Sequence, residues 1–404
     1  MLLTPAQATE IISQQVPTLS SEDCALEHAH GRITRVDLVA DRPMPPFNRV
    51  TMDGFAVRST DWAANPQAAL KVTGYQAAGM IPQEISEVGT AIEIATGAAL
   101  PHGADAVVPY EDTMHEGDEV RLLETATCSP GQSIHPTGSD FSAAQVLVAK
   151  GTMLTGREIA VGATIGAARI RVAARPSIAV IATGDELMEV NAPMIAPQQI
   201  RRSNDYAIRA ALLQSHLAGR VERFHLRDHR PDIESKLREV LASFDVIILT
   251  GGVSKGKRDH IPEVLAELGA KQHLRGIAQR PGKPMWFGTT PRRTPIFALP
   301  GNPVSTYTCL HRYVLPALRQ MAGARPLIPT TVALGQDFSF GRPLAFMLPV
   351  QVSTDAQGLH SAAPAPFNTS GDLGGLLGTD GFVELSADSD HFPAGTPVAL
   401  WRWV

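Results

Sequence analysis

The stretch DVIILTGGVSKGKRDH, residues 245–260, joins an apolar run to paired glycines, then to small and charged residues and an acid at the mouth of a helix. A strand that is apolar along its whole length belongs in a parallel sheet covered on both faces. Paired glycines at its end make either a tight turn or a cradle whose backbone N–H groups hold an anion. The same alternation runs from about residue 174 to 326. SIAVIATGDEL (177–187) reads as a strand and glycine turn, and NDYAIRAALLQSHLAG (204–219) as a helix closed by Gly219. RVERFHL (220–226) is a strand, and Pro231 opens a helix with Ile233, Leu237, Val240 and Leu241 on one face. PIFALPGNPVS (295–305) is a strand and loop leading into a helix over Thr306–Met321.

Outside this region the texture changes. Residues 1 to about 41 begin with a helix, Thr4 and Pro5 serving as N-cap and first helical residue. From about 42 to 140, short apolar stretches broken by Gly and Pro read as a β-rich module. Residues 141–173 return towards the N-terminal segment, and 327–404 read as a small β-barrel or sandwich. With 404 residues, several domains are expected. A net charge of −5 gives no basic field for nucleic acid or an anionic membrane. Cys24, Cys128 and Cys309 form no zinc-ligand pattern and fit a reducing compartment. The N-terminus lacks the features of a signal peptide and no run approaches a membrane span, so a cytoplasmic location is expected.

Ligands of open α/β sheets bind at the carboxyl ends of the strands. Three such ends carry glycine or Pro-Gly loops: ATGDE (182–186), TGGVSKGKRD (250–259) and LPGNPVS (299–305). Together they suggest an elongated, multiply anionic ligand. None fits the Walker or dinucleotide pattern. Asp259, Asp228 and Asn302 with Pro303 have an ordinary explanation as helix caps. Asp185 and Glu186 are harder to dismiss, because like charges about 4 Å apart cost on the order of 4 kcal/mol at an effective dielectric of 20. A divalent cation bridging them to an anionic ligand removes that cost, and Mg²⁺ is the usual choice. Arg280 and Lys283 of RPGKP (280–284) are solvated turn residues or an anion clamp, and the neighbouring loops favour the clamp. In the β-rich module, Asp53, Thr96, Asp140 and His135 taken singly are turn and loop residues.

In order along the chain stand PPFNRVTMDGFAV (45–57), ATGAALPHGADAVV (95–108), ATGDEL (182–187), LTGGVSKGKRD (249–259), RPGKP and ALPGNPVS (298–305). With these strings the chain resembles the molybdopterin molybdenumtransferase family (MoeA and the gephyrin E domain), strongly from about 42 to 320 and weakly after 327. The resemblance implies a multidomain α/β plus β fold. Its parts are an elongated N-terminal linking domain (1–41 and 141–173), a β-rich domain (42–140), a three-layer α/β molybdopterin-binding domain (174–326) and a C-terminal β-barrel (327–404). It further implies a homodimer, with the site shared between the α/β domain of one subunit and the β-rich domain of the other. The implied reaction is Mg²⁺-dependent insertion of molybdate into adenylylated molybdopterin, with release of AMP and a molybdenum enzyme as possible acceptor.

Carried over by motif, the catalytic residues are Asp53, Thr96, Asp140, Glu186, Asp228 and Asp259. Asp185, Glu186, Asp228 and Asp259 would hold metal. Gly184, Ser203, Gly251, Gly252, Ser254, Arg280, Lys283, Gly301, Asn302, Ser305 and Ser370 would bind substrate. The chain departs from the family pattern at anion-handling positions. His135 and Ser139 replace Arg and Glu, Leu348 replaces the Arg of F-x-R, Gly375 replaces a common Ser, and Arg280 is often Lys. Arg342 or Ser370 is a candidate substitute for the lost contacts. These departures motivate an alternative, a specialised paralogue that binds the pterin or finished cofactor and delivers it to one enzyme. A gephyrin-like scaffold for a protein partner finds no long linker or partner helix to support it.

Overall fold

The computed structural model describes residues 2–252, 260–366 and 369–404. The chain divides into two compact units: Met1–Val36, Lys150–Ile159 and Arg169–Val404 form one, Asp37–Ala149 and Ala160–Ala168 the other.

In the larger unit the first helix, Pro5–Gln15, starts as the sequence indicates. Thr4 Oγ1 accepts from Gln7 N–H at 3.2 Å, and Gln7 Oε1 accepts from Thr4 N–H at 2.9 Å. Strand Ser21–Ala25 pairs antiparallel with Arg169–Ala173, which is the return expected for this segment.

The centre of this unit is a six-stranded sheet in the order 221–226, 178–183, 246–250, 295–299, 286–289 and 271–275. The first four strands are parallel. Alternate residues of each inner strand enter different cores. Ile178, Val180, Val246 and Ile248 pack with the helix Asn204–Gln214 on one face. Ala179, Ile181, Ile247 and Leu249 pack with Arg230–Ser243 and Ile261–Glu267 on the other. That division explains why the strands read as unbroken apolar runs.

The sheet differs from the all-parallel expectation at one edge. Trp286–Thr289 and Pro295–Leu299 are joined by a turn too short for a crossover, so they pair antiparallel, and Lys271–Arg275 adds antiparallel beyond them. The helix after residue 204 also stops earlier than expected. It ends at Gln214, and His216 rather than Gly219 takes the left-handed conformation, with φ 58°. Ser215 Oγ, donating to Leu212 O, caps this end.

The helix expected over Thr306–Met321 begins at Pro303 and contains a π-helical turn at Leu310–Val314. That turn buries His311, whose Nδ1 bonds Tyr307 O at 2.9 Å while its Nε2 accepts from Val404 N–H at 3.1 Å.

The C-terminal segment is a closed barrel rather than a sandwich. Ala345–Thr354 is long enough to pair with both His360–Pro364 and Gly381–Leu385. Pro397–Arg402 and Thr330–Leu334 complete the ring. Phe346, Leu348 and Val350 point into its core with Val332, Val383 and Leu400. The sheet of the smaller unit is also six-stranded, in the order 106–109, 54–57, 90–94, 70–76, 119–122 and 113–116, with Phe55, Trp62, Leu70 and Val108 in its core. Among the described residues no helix is long and apolar enough to cross a membrane.

Two outcomes follow from this packing. Leu348→Ala leaves a hole in the barrel and lowers the unfolding free energy by about 2–5 kcal/mol in urea denaturation. Burial pushes the His311 imidazole down from 6.5 to about 4. The unfolded chain therefore binds a proton in this range that the folded chain refuses. The contribution of neutral His311 is complete above the unfolded value, and about 3 kcal/mol is lost as pH falls through the folded value. Urea melts across this range show the loss, and His311→Gln removes that part of the pH slope.

Candidate functional site

The carboxyl ends of strands Ile178–Thr183, Val246–Thr250 and Pro295–Leu299 open on a cleft of about 930 Å³. Its walls are the three glycine loops singled out in the sequence. Gly251 and Gly252 have φ of 90° and 67°. A Cβ on Gly251 would lie 2.7 Å from Thr183 O, and one on Gly252 would lie 2.9 Å from Ile261 Cγ1 and from Thr183 Oγ1. Both positions thus need glycine for backbone conformation and for close approach. Gly301 is different, since a Cβ there meets nothing nearer than Gly251 Cα at 3.6 Å.

Asn204 ties two of the loops together. Its Nδ2 donates to Thr250 Oγ1 at 2.9 Å and to Gly301 O at 2.7 Å. Asn302 stands at the N-cap position of Pro303–Cys309, but its side chain does not cap the helix. It donates instead to Ser370 Oγ at 2.7 Å, and Val304 N–H donates to Ser370 O at 3.1 Å. The segment containing Ser370 is thereby fixed to the Pro-Gly loop. Asp228 does not cap its helix either, since His229 holds that position.

Gly184, Glu186, Ser203, Asp228, Arg280, Lys283, Ser305 and Ser370 line the same cleft with Gly251, Gly252, Gly301 and Asn302. Asp185 does not line it. Its Oδ1 accepts from Asp228 N–H at 3.1 Å, so it braces the loop that presents Asp228. Ser254 and Asp259 lie outside the described residues. Glu186 folds back over Gly184, where a Cβ would come within 2.5 Å of Glu186 Oε2. Among the described residues no three His, Cys, Asp or Glu side chains form a metal-binding group. Two carboxylates on one wall suit Mg²⁺, which takes one or two protein carboxylates and completes its shell with phosphate oxygens and water.

The cations divide into two kinds. Arg202 pairs with Glu189 at 2.9 Å and with the fully buried Asp205 at 3.6 Å, and Arg223 reaches Asp205 at 3.1 Å, so this group is structural. Arg280, Lys283 and Arg342 line the cleft with no salt bridge among the described residues. The Arg280 guanidinium lies 5.8 Å from the Phe340 ring centroid, a cation–π distance that orients it. Sequence reasoning passed over Asn204, Arg202 and Asp205. The charged run RRSND before the helix was the available signal.

In the smaller unit, Asp53 Oδ1 accepts from Thr96 N–H at 2.7 Å, so these two predicted residues are in contact. Tyr110 N–H donates to Asp53 O at 3.2 Å, and Tyr110 Oη donates to Glu93 at 2.7 Å. Burial and that carboxylate raise the Tyr110 phenol above its ordinary range. His135 is not an isolated loop histidine. It pairs across strands with Arg49, whose guanidinium lies 3.1 Å from Nδ1, and its Nε2 lies 3.1 Å from Asp140 Oδ1. His135 thus contacts both an arginine and Asp140. Ser139 Oγ donates to Pro136 O and stabilises its own turn.

Residues 3–166 match the MoeA N-terminal region (domain I and II), 179–320 the probable molybdopterin binding domain, and 331–403 the MoeA C-terminal region (domain IV). A molybdopterin molybdenumtransferase of Synechocystis sp. is 35% identical over 404 residues, all of both chains. One from Staphylococcus epidermidis is 30% identical, over 97% of this chain and 93% of the relative. The structure of a molybdopterin biosynthesis MoeA protein from Pyrococcus horikoshii superposes with a TM-score of 0.82 at 25% identity, over 99% of this chain and 100% of that one.

The glycine geometry predicts a contrast. Gly251→Ala forces a left-handed alanine against a carbonyl and lowers stability by about 1–3 kcal/mol, whereas Gly301→Ala changes it by less than about 0.5 kcal/mol. Urea denaturation of the two variants measures the difference.

Proposed function

This chain belongs to the MoeA family of molybdopterin molybdenumtransferases, and on that premise we propose that it inserts molybdate into adenylylated molybdopterin in a Mg²⁺-dependent step that releases AMP. The observation that carries the reading is the meeting of glycine loops, the carboxylates of Glu186 and Asp228, and the cations Arg280, Lys283 and Arg342 on one cleft. A pterin phosphoanhydride and molybdate are both polyanions, and each element of the cleft has a use for one of them.

The backbone of the loops at Gly251, Gly252 and Gly301 would hold the phosphates through its N–H groups, as glycine loops at strand ends do. Arg280, Lys283 and the Ser305 hydroxyl hold the tetrahedral oxyanion beside the anhydride. Glu186 and Asp228 would hold Mg²⁺, with Asp185 keeping the Asp228 loop in place. When bound, that ion offsets the charge of the phosphates. No protein nucleophile is required, because alignment and charge stabilisation suffice for cleavage of a phosphoanhydride.

In this reading the chain acts in the cytoplasm as a homodimer, and Asp53, Thr96 and Asp140 of one subunit serve the cleft of the other. The contacts of Asp53 with Thr96 and of Asp140 with His135 give those residues fixed positions from which to do so. Turnover is favoured over simple carriage of the pterin by the acids and cations kept on the cleft. Two of the departures that motivated the carrier alternative lie elsewhere: Leu348 is in the barrel core, and Gly375 donates its N–H to Asp372 in a 3₁₀ turn.

The test is AMP release from adenylylated molybdopterin with Mg²⁺ and molybdate, followed chromatographically. Glu186→Gln and Asp228→Asn each lower the rate by about 10²-fold or more, while sedimentation reports a dimer. A native chain that releases no AMP at any metal or molybdate concentration overturns the reading.

A further inference from the structure

We propose that the larger unit carries a second small-molecule site, apart from the cleft, that takes an amphipathic organic acid: a flat apolar body held against Trp403 and Ile328, and a carboxylate held by Arg319 and Arg402. This site shares no lining residue with the cleft, so the inference does not rest on the transferase reading.

The site is a cavity of about 350 Å³. That is the lower end of the roughly 300–1,000 Å³ of small-molecule pockets. It is enclosed by the helix Leu315–Met321, the end of the last barrel strand Pro397–Arg402, and the connector at 327–330 that enters the first barrel strand. Met153, Leu217, Leu315 and Leu400 give it apolar walls. On its rim Leu327 is 52% exposed and Ile328 85% exposed. Apolar side chains left open beside a concavity gain from any apolar body that covers them.

On this apolar cavity stand two arginines and no Asp or Glu side chain. Neither Arg319 nor Arg402 has a side-chain hydrogen bond or ion pair among the described residues. Arg312, two helical turns before Arg319, shows the structural alternative. Its Nε donates to Glu384 at 2.7 Å and its Nη1 to Thr9 Oγ1 at 2.8 Å. Arg319 Nε is buried with no acceptor, and burial lowers its guanidinium from the ordinary value, as happens to a desolvated charge without a counter-ion. Trp401 lines the same cavity, and its indole Nε1–H is also buried with no acceptor. Buried donors are normally paired, so two orphans at one cavity mark a place that lacks an acceptor.

The remaining wall is aromatic and fixed. Trp403 Nε1 donates to Thr379 Oγ1 at 2.8 Å, and its ring centroid lies 5.0 Å from His311 and 5.1 Å from Tyr307. His311 has both nitrogens in hydrogen bonds, so it adds a flat surface and no charge. Apolar walls disfavour a bare inorganic anion, and the arginines repel a cation. A planar guanidinium binds both oxygens of a carboxylate at once. The chemistry left is that of a compact carboxylic acid with an aromatic or branched apolar body.

The experiment is titration of the full-length protein with 2-naphthoate, followed by calorimetry and tryptophan fluorescence, with 2-naphthamide as the neutral isostere. Native protein is expected to bind one 2-naphthoate per chain, about tenfold or more tightly than the amide, and millimolar AMP does not displace it. Arg319→Gln and Ile328→Glu each weaken 2-naphthoate binding about tenfold or more, and Arg402→Gln weakens it about threefold. Urea denaturation checks that each variant is folded. Ile328 and Arg402 are exposed, so their variants decide the matter even if Arg319→Gln unfolds. No saturable binding by the native chain at millimolar 2-naphthoate overturns the inference. Equal affinity for acid and amide, displacement by AMP, or native affinity in the folded variants overturns it as well. A native chain that releases no AMP, yet binds 2-naphthoate in a way that depends on Arg402 and Ile328, sinks the transferase reading and leaves this inference standing.

Discussion

The close approach of Gly251 and Gly252 to Thr183 is the constraint on which the rest of the cleft depends. Two parallel strands lie side by side, and the chain leaving one passes over the end of the other with no room for a side chain. That contact brings the Thr250 end of one strand beside the loop that follows Thr183. Asn204 then spans from Thr250 to Gly301 and draws in the third loop.

The sheet can hold this geometry because it is packed on both faces. Each central strand sends alternate side chains into separate cores, so rotation or slippage would expose one core or the other. The barrel then adds what the sheet lacks. Ser370 and Arg342 reach the cleft from irregular segments next to barrel strands, one fixed by Asn302 and the other by the ladder beneath Arg280. A rigid closed barrel holds its loops in register, and a loop is where a side chain can leave an apolar interior.

Charge is arranged with the same economy. Arg202 and Arg223 are neutralised by Glu189 and buried Asp205, while Arg280, Lys283 and Arg342 on the cleft wall have no acid partner among the described residues. A paired buried arginine holds structure; an unpaired one beside a cleft is available to a ligand. Composition alone does not separate the two kinds, because RRSND and RPGKP look equally basic and equally polar.

Much of this was legible in the residues themselves. Thr4, Pro5 and Gln7 specify a capped helix through bonds within four residues, and DVIILTGG specifies a buried strand with a glycine exit through its own periodicity. Acids and glycines gathered at strand ends were enough to single out the loops that line one cleft. Other features depended on partners distant in sequence. The antiparallel edge follows from where the hairpin docks. Asn302 forgoes its local cap for Ser370, and Asp185 braces Asp228 rather than facing the cleft. His135 meets Arg49, and Leu348 turns inward because of the barrel's pleat. Local bonding and hydrophobic period are encoded in neighbouring residues, so the sequence by itself determined the elements and the family. Which side chains face the cleft, and which are neutralised first, depends on contacts between segments tens to hundreds of residues apart, and only the tertiary structure decided it.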